Sequence, residues 1–369
     1  MTNELDETLA LIRDQASRLF NSSAQPHYLK SLLDKPASFD RTHWGAAVEQ
    51  VWPAIAVPES AGGIGLGWRG LCVLMEELGK KTVSLPLIAN AVTTATLLAN
   101  TDQTLIDRYV GLLASGELIA CLAFSEPGES GLPACSTLRW KDGALTGRKS
   151  VTAFAAVADI ALAQANVDGE LVLLLIELDQ PGVLRHIEPT FDNARASASL
   201  VFTHAVASRL SLADAYQAFE RALGLAALAT AFEQIGGSAA CLTMARDYAL
   251  ERSAFGQPIG RFQAIKHKVA DMYSRLEIAR GCAFDALDAV EQTEPLANAL
   301  TAAARLGATE AFEFAARENI QIHGGLGVTW ETMPHHYYRR ARSLALELGS
   351  TPFWRDQLLT QVGFDATAQ

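Results

Sequence analysis

Paired cysteines are missing from this 369-residue chain. Its five cysteines, Cys72, Cys121, Cys135, Cys241 and Cys282, are scattered, and none forms a C-x-x-C pair. That argues against a disulfide framework or a zinc site and suits a reducing cytoplasm. Basic charge is also scarce. Lys and Arg number 30 against 41 Asp and Glu, a net charge of −11. No positive field is left to draw nucleic acid or an anionic membrane surface, so an anionic substrate must meet a local basic site. The start, MTNELDETLALIRDQASRLF, lacks the basic segment and apolar run of a signal peptide. No stretch reads as apolar for the length of a bilayer span. Solenoid repeats and low-complexity linkers are absent. So is a phosphate loop: the glycine-rich Pro58–Gly67 segment has neither G-x-G-x-x-G spacing nor a following lysine, and it reads as a tight loop opening a helix.

What is present is an ordinary globular balance, 49% apolar and 19% charged, on a chain long enough for two or three subdomains. Leu5, Leu9, Ile12, Ala16 and Leu19 recur at helical spacing, and further helices are expected from Trp68, over Ile88–Asn100 and before Gly116. From Leu118 the pattern changes to short apolar and β-branched runs: Leu118–Phe124, Ser136–Trp140, Ile160–Ala165, Leu171–Leu178 and Ala198–Phe202. Lys141-Asp142-Gly143 and Asp168-Gly169 read as hairpin turns. From Leu212 onward the chain is helical again, with a long helix whose face is marked by Leu225, Leu228, Phe232, Ile235, Ala239, Leu242 and Ala249, then helices at Gln263–Val290, Pro295–Glu318 and Arg339–Gln361. Gly236-Gly237 interrupt the first of these without proline, which predicts close helix packing rather than a hinge. The expected class is α+β, with an N-terminal helical domain (1–117), a central antiparallel β-domain (118–208) and a C-terminal four-helix bundle (209–369).

One stretch stands out. Over Ala240–Asp271 a helix stops at Phe255-Gly256-Gln257-Pro258-Ile259-Gly260, where glycine and proline end the ladder. Tyr248, Arg252 and Phe255 gather at that end. A cation, two aromatics and a glycine-rich break can hold an anionic, ring-bearing cofactor, although an Arg in a last turn also simply offsets the helix dipole.

Four landmarks together resemble the FAD-dependent acyl-CoA dehydrogenases, in that family's order. They are P-E-x-x-G-G at Pro58–Gly63, S-E-P-G at Ser125–Gly128, Y-A-L-E-R-x-x-F-G-Q-P-I at Tyr248–Ile259 with F-Q-x-x-K-x-K-x-A-D-M at Phe262–Met272, and Q-I-H-G-G-L-G at Gln321–Gly327 with R-R-A-R at Arg339–Arg342. The resemblance covers nearly the whole chain, and the last two landmarks are its specific part. It implies that Ser125 lies along the flavin ring, and that Arg252 reaches the pyrophosphate of a neighbouring subunit's FAD with Phe255 and Gln263 beside it. It also implies that Gln321, Gly324 and Gly325 line the diphosphate and adenosine part, with His323 a structural neighbour. Contacts shared between chains imply at least a dimer, usually a dimer of dimers, with an electron-transferring flavoprotein as acceptor. No metal is expected: His335-His336 have no carboxylate at ligand spacing.

The family reaction removes the α-proton of an acyl-CoA thioester with a carboxylate and passes the β-hydride to flavin N5. Ungapped placement from Arg339 puts Leu348, not Glu347, at the family's base position. The alternative family position falls on Ala226, with Glu220 and Glu233 more than a helical turn away. If the segment is helical, one residue turns a side chain by about 100°, so Glu347 points elsewhere unless Gly349 shifts it. The family's A-G-S-D run is replaced by Glu129-Ser130-Gly131-Leu132-Pro133, and its W-I-T segment by Val151-Thr152-Ala153. Three readings follow. One is a dehydrogenase of fatty or steroid side-chain acyl-CoA with Glu347, or another carboxylate, as base. Another is a non-catalytic partner in an unlike-subunit enzyme. The last is a flavin oxidase or monooxygenase on the same scaffold.

Overall fold

The computed structural model describes residues 2–21, 25–127 and 136–363. Six helices come first: α1 (Thr2–Leu19), α2 (Pro26–Leu33), α3 (Arg41–Glu49), α4 (Gly67–Lys81), α5 (Leu87–Leu98) and α6 (Gln103–Ser115). In α1 the helical repeat buries Leu9, Ile12 and Ala16, while Leu5 stays partly exposed. The sheet strands are β1 (Ala120–Leu122), β2 (Arg139–Lys141), β3 (Ala144–Thr152), β4 (Ile160–Val167), β5 (Glu170–Glu177), β6 (Val183–Ile187), β7 (Ala198–Val206) and β8 (Ser208–Arg209). Their order is β6-β7-β3-β2-β4-β5-β8, with β1 also on β4. The long ladders are antiparallel; β1 joins β4 in parallel, as does the single β2–β4 pair. Both expected hairpin turns form with the positive φ that matches strand twist, at Asp142-Gly143 (51° and 82°) and Asp168-Gly169 (52° and 98°). β3 and β6 escaped the sequence pattern. β3 carries Gly147 at φ 136° and a fully buried Lys149, and β6 is largely exposed at the sheet edge.

The chain then runs through α7 (Ala215–Glu251), a small hairpin of β9 (Ser253–Ala254) and β10 (Gln257–Pro258), α8 (Gln263–Glu291), α9 (Ala297–His323), α10 (Pro334–Leu344) and α11 (Thr351–Gln361). The expected helix over Arg339–Gln361 is two helices. Leu348 and Gly349 adopt positive φ (59° and 107°), and Pro352 sits in the first turn of α11, where its missing N–H costs nothing. The fourth member of the bundle is therefore shared by α10 and α11, both packed on α9. α7 is long and apolar enough to cross a membrane by length and composition, which the sequence reading missed; 83% of that window is buried inside the protein, so it serves as the core helix.

The packing expectation for Gly236-Gly237 holds. A Cβ at Gly236 would lie 1.9 Å from the Glu76 carbonyl oxygen, and one at Gly79 would lie 2.0 Å from that of Glu233. α4 and α7 thus cross backbone to backbone through reciprocal glycines, which brings the N-terminal helices against the bundle and Glu233 toward the sheet.

Candidate active site

A cleft opens where the sheet meets the helices. Its wall combines Ser125 past β1, Val151–Phe154 around the end of β3, Leu85, Ile88 and Ala89 near the start of α5, Arg195, and the Leu346–Leu348 turn after α10. The segment bearing Ser125 is pinned at each residue. Gln164 donates to the Phe124 carbonyl at 2.6 Å, the Ser150 amide donates to the Ser125 carbonyl at 2.8 Å, and the Lys149 ammonium meets the Glu126 carboxylate at 2.8 Å. Lys149 and Glu126 are 0% and 1% exposed. Burial pushes the Lys149 ammonium down to about 8 against the pull of Glu126. Burial works the other way on Glu126, but Lys149 and the Ser136 and Thr137 donors outweigh it and hold the carboxyl below its usual range. Gly128 and the 129–133 loop lie outside the described residues. Among the described residues the cleft encloses about 60 Å³. Ligand sites usually need roughly 300–1,000 Å³.

Glu347 lies on this wall, and so does Leu348. The segment is a turn, not a helix, so the two side chains are not parted by a helical rotation as the sequence reading expected. Position does not decide between them; partners do. The Glu347 Oε1 accepts from Arg195 at 2.7 Å. Arg195 also donates to Glu233 at 3.2 Å, Arg340 donates to the same Glu233 at 2.8 Å, and Arg340 Nε donates to Asp192. Arg340 further donates to the carbonyls of Thr82 (2.9 Å) and Val83 (3.1 Å). Burial alone would lower the Arg195 pKa, but Glu347 and Glu233 outweigh it and keep the guanidinium charged. Glu347 is thus spent as the outer member of a buried ion network. Leu348 is 8% exposed and strained in left-handed backbone, a cost of about 1–2 kcal/mol. It is held there by the Trp354 indole N–H on its carbonyl (3.1 Å), while Arg305 donates to the carbonyls of Glu347 (2.8 Å) and Leu344. Ala226 is fully buried in α7.

The other expected residues form a second group. None of Arg252, Phe255, Gln263, Gln321, Gly324 or Gly325 lines the cleft. Arg252 caps α7, its amide bonded to the Tyr248 carbonyl at 2.8 Å. Phe255 stands at the hairpin tip with φ 53° and is 96% exposed, touched edge-to-face by the Phe262 ring at 6.2 Å. Gln263 opens α8, where unpaired helix amides suit an anion. Gln321, Gly324 and Gly325 close α9, and a Cβ at either glycine would meet nothing within 4 Å. Tyr248 and His323 stack at 4.1 Å and 23°, joining the α7 and α9 ends. A guanidinium, two amides, open glycine backbone and an exposed aromatic ring fit an anionic, ring-bearing dinucleotide. The small cleft does not fit one within this chain alone.

Two residues went unnoticed in the sequence. Arg195 lies on a short 3-10 turn between strands, and nothing local marks it as Glu347's partner. Among the described residues the buried Ser350 hydroxyl, beside the strained turn, has no hydrogen-bond partner. Among the described residues no group of three or more His, Cys, Asp or Glu side chains could hold a metal. A roomier cleft of about 430 Å³ lies by the start of α7 and α9, where Asp214, Glu220 and Glu294 outnumber Arg221. Its balance of charge repels phosphate.

Two family descriptions match the chain: acyl-CoA dehydrogenase, N-terminal domain, over residues 6–117, and acyl-CoA dehydrogenase, C-terminal domain, over residues 216–362. The acyl-CoA dehydrogenase IpdE2 of Mycobacterium tuberculosis is 31% identical over 348 residues, 93% of this chain and 94% of that protein. Its namesake in Mycolicibacterium smegmatis is 30% identical over 352 residues, 94% and 96% of the two chains. The solved Tcur3481-Tcur3483 steroid ACAD superposes with a TM-score of 0.89 at 26% identity, covering 97% of this chain and 98% of its own. The ChsE4-ChsE5 complex from Mycobacterium tuberculosis shares the fold, with a TM-score of 0.88 at 23% identity over 98% of each chain.

Proposed function

Because this chain belongs to the acyl-CoA dehydrogenase family of FAD-dependent oxidoreductases, we propose that it serves as the base-lacking subunit of a two-subunit enzyme that desaturates an acyl-CoA thioester. One observation carries the reading: at the cleft wall the carboxylate of Glu347 is committed to Arg195, and its neighbour is Leu348. α-Proton removal needs a carboxylate free to accept, within hydrogen-bond reach of the thioester α-carbon. The Glu347 Oε1 already accepts from Arg195, so that oxygen is engaged rather than open to a thioester.

The same chain keeps the second group. Arg252 offers a planar fork of donors to a diphosphate, Gln263 and Gln321 add amide bonds, the backbone at Gly324 and Gly325 lets phosphate approach, and Phe255 covers a ring edge. When bound, FAD supplies the hydride acceptor. Since these residues and the cleft do not share a wall, one cofactor touching both draws on two chains, as in a dimer of dimers. Two structural neighbours carry names joining two gene products, one of them a steroid ACAD, so steroid side-chain and fatty acyl thioesters are the substrates to try first. Electrons would leave to an electron-transferring flavoprotein. Cys72, Cys121, Cys241 and Cys282 are free, which suits the cytoplasm.

The test is co-purification with the product of a neighbouring dehydrogenase gene, followed by flavin counting. About half a flavin per chain, with turnover only in the mixed assembly, is expected. A yellow homo-oligomer of this chain with one flavin per subunit that oxidises acyl-CoA would end the reading.

A further inference from the structure

The Tyr248–His323 stack is used by neither the cleft nor the ion network, yet it is the ring contact that joins the two halves of the cofactor arm. We infer that His323 is a positioning residue: it fixes the end of α9 against the end of α7 so that Arg252 and Gln321–Gly325 present one surface to a diphosphate. The inference rests on the arm holding FAD.

Four observations support it. The rings lie 4.1 Å apart at 23°, a stacked contact between the end of α7 and the end of α9. The imidazole is fixed from the other side, its Nδ1 donating to the Asn319 carbonyl at 2.8 Å within α9. Behind it the backbone has no slack, because a Cβ at Gly327 would lie 2.7 Å from the Ile320 carbonyl oxygen and 3.2 Å from the His323 Cβ. On the α7 side, the Tyr248 carbonyl accepts from the Arg252 amide at 2.8 Å, and the Arg252 carbonyl accepts from the Ile259 amide at 2.7 Å, so the hairpin inherits Tyr248's position. Beyond these contacts the arm is open: a Cβ at Gly256, Gly324 or Gly325 meets nothing within 4 Å. The surface is built on one side and waiting on the other.

The experiment compares wild type, His323→Ala and His323→Phe as full chains, alone and co-purified with the partner subunit. Free FAD is the probe for affinity, and hydrogen exchange reads the amides of Arg252 and Ile259. His323→Ala should weaken FAD binding about tenfold and speed exchange at both amides, while His323→Phe, which keeps a stacking ring, restores both to within about threefold. Tyr248→Leu should reproduce the Ala result from the α7 side, and it decides the matter where His323→Ala does not fold. The inference is overturned if His323→Ala binds FAD as wild type does, or if His323→Phe is as weak as His323→Ala. If no wild-type assembly binds FAD, the function proposed above falls, and the coupling stands or falls on exchange alone.

Discussion

Replacing Glu347 by Gln separates a structural carboxylate from a catalytic one. The substitution removes one charge from a network in which three guanidiniums (Arg195, Arg305, Arg340) balance three carboxylates (Asp192, Glu233, Glu347). Breaking a fully buried pair costs about 3–5 kcal/mol. The Glu347 side chain is 21% exposed, Arg195 keeps Glu233 at 3.2 Å, and Gln can still accept one hydrogen bond. Those three facts reduce the cost to about 1–2 kcal/mol, or an apparent Tm lower by roughly 1–3 °C for a chain of this size. Glu233→Gln, at 1% exposure and with two arginines left facing it, should cost about 3–5 kcal/mol and so fall further. Differential scanning fluorimetry measures both, and steady-state acyl-CoA oxidation by the co-purified assembly measures turnover. On the proposed reading, turnover of the Glu347 variant should stay within about threefold of wild type, whereas loss of a general base would cost on the order of 10²–10⁴. A hundredfold loss of turnover with an unchanged Tm would refute the reasoning.

Other outcomes follow from single features. Gly236→Ala puts a Cβ 1.9 Å from the Glu76 carbonyl and should cost about 3 kcal/mol or more; a Tm within about 2 °C of wild type would mean that the helices can part freely. Lys149→Met leaves the Glu126 carboxylate buried without its cation and should destabilise by about 3–5 kcal/mol, whereas Lys149→Arg should lose less; urea midpoints check the order. Burial depresses the His336 pKa from 6.5 to about 3, helped by His335 and Arg339. The unfolded chain then binds the extra proton first, so stability is lost as pH falls below 6.5 toward 3, by about 3 kcal/mol at pH 4.5. His336→Leu should flatten that slope, and equal slopes in chemical denaturation from pH 6.5 to 4.5 would contradict it.

Much of the fold was legible because local chemistry is strong there. Leu9, Ile12 and Ala16 mark the buried stripe of α1, and Asp142-Gly143 and Asp168-Gly169 carry the conformations that tight hairpins require. The break at Phe255-Gly256 was equally plain. β3 was hidden because its polar residues, Lys149 above all, are satisfied by partners far along the chain. The Arg339–Gln361 run was misjudged as one helix although Gly349 and Pro352 carry the break, the glycine at positive φ and the proline in a first helical turn.

The site divides along the same line. The proposed arm residues lie in two short segments, Tyr248–Gln263 and Gln321–Gly325, so the resemblance could point to them from local motifs. The standing of Glu347 could not be read that way. Its partner Arg195 is 152 residues distant, and Glu233 and Arg340 reach the same network from two further elements. Sequence alone determined the α1 stripe, the two hairpin turns and the break at Phe255-Gly256, because those depend on neighbours within a few residues. Only the tertiary structure decided that the one carboxylate on the Leu346–Leu348 turn is held by a cation, because charge pairing depends on distance through space and not along the chain.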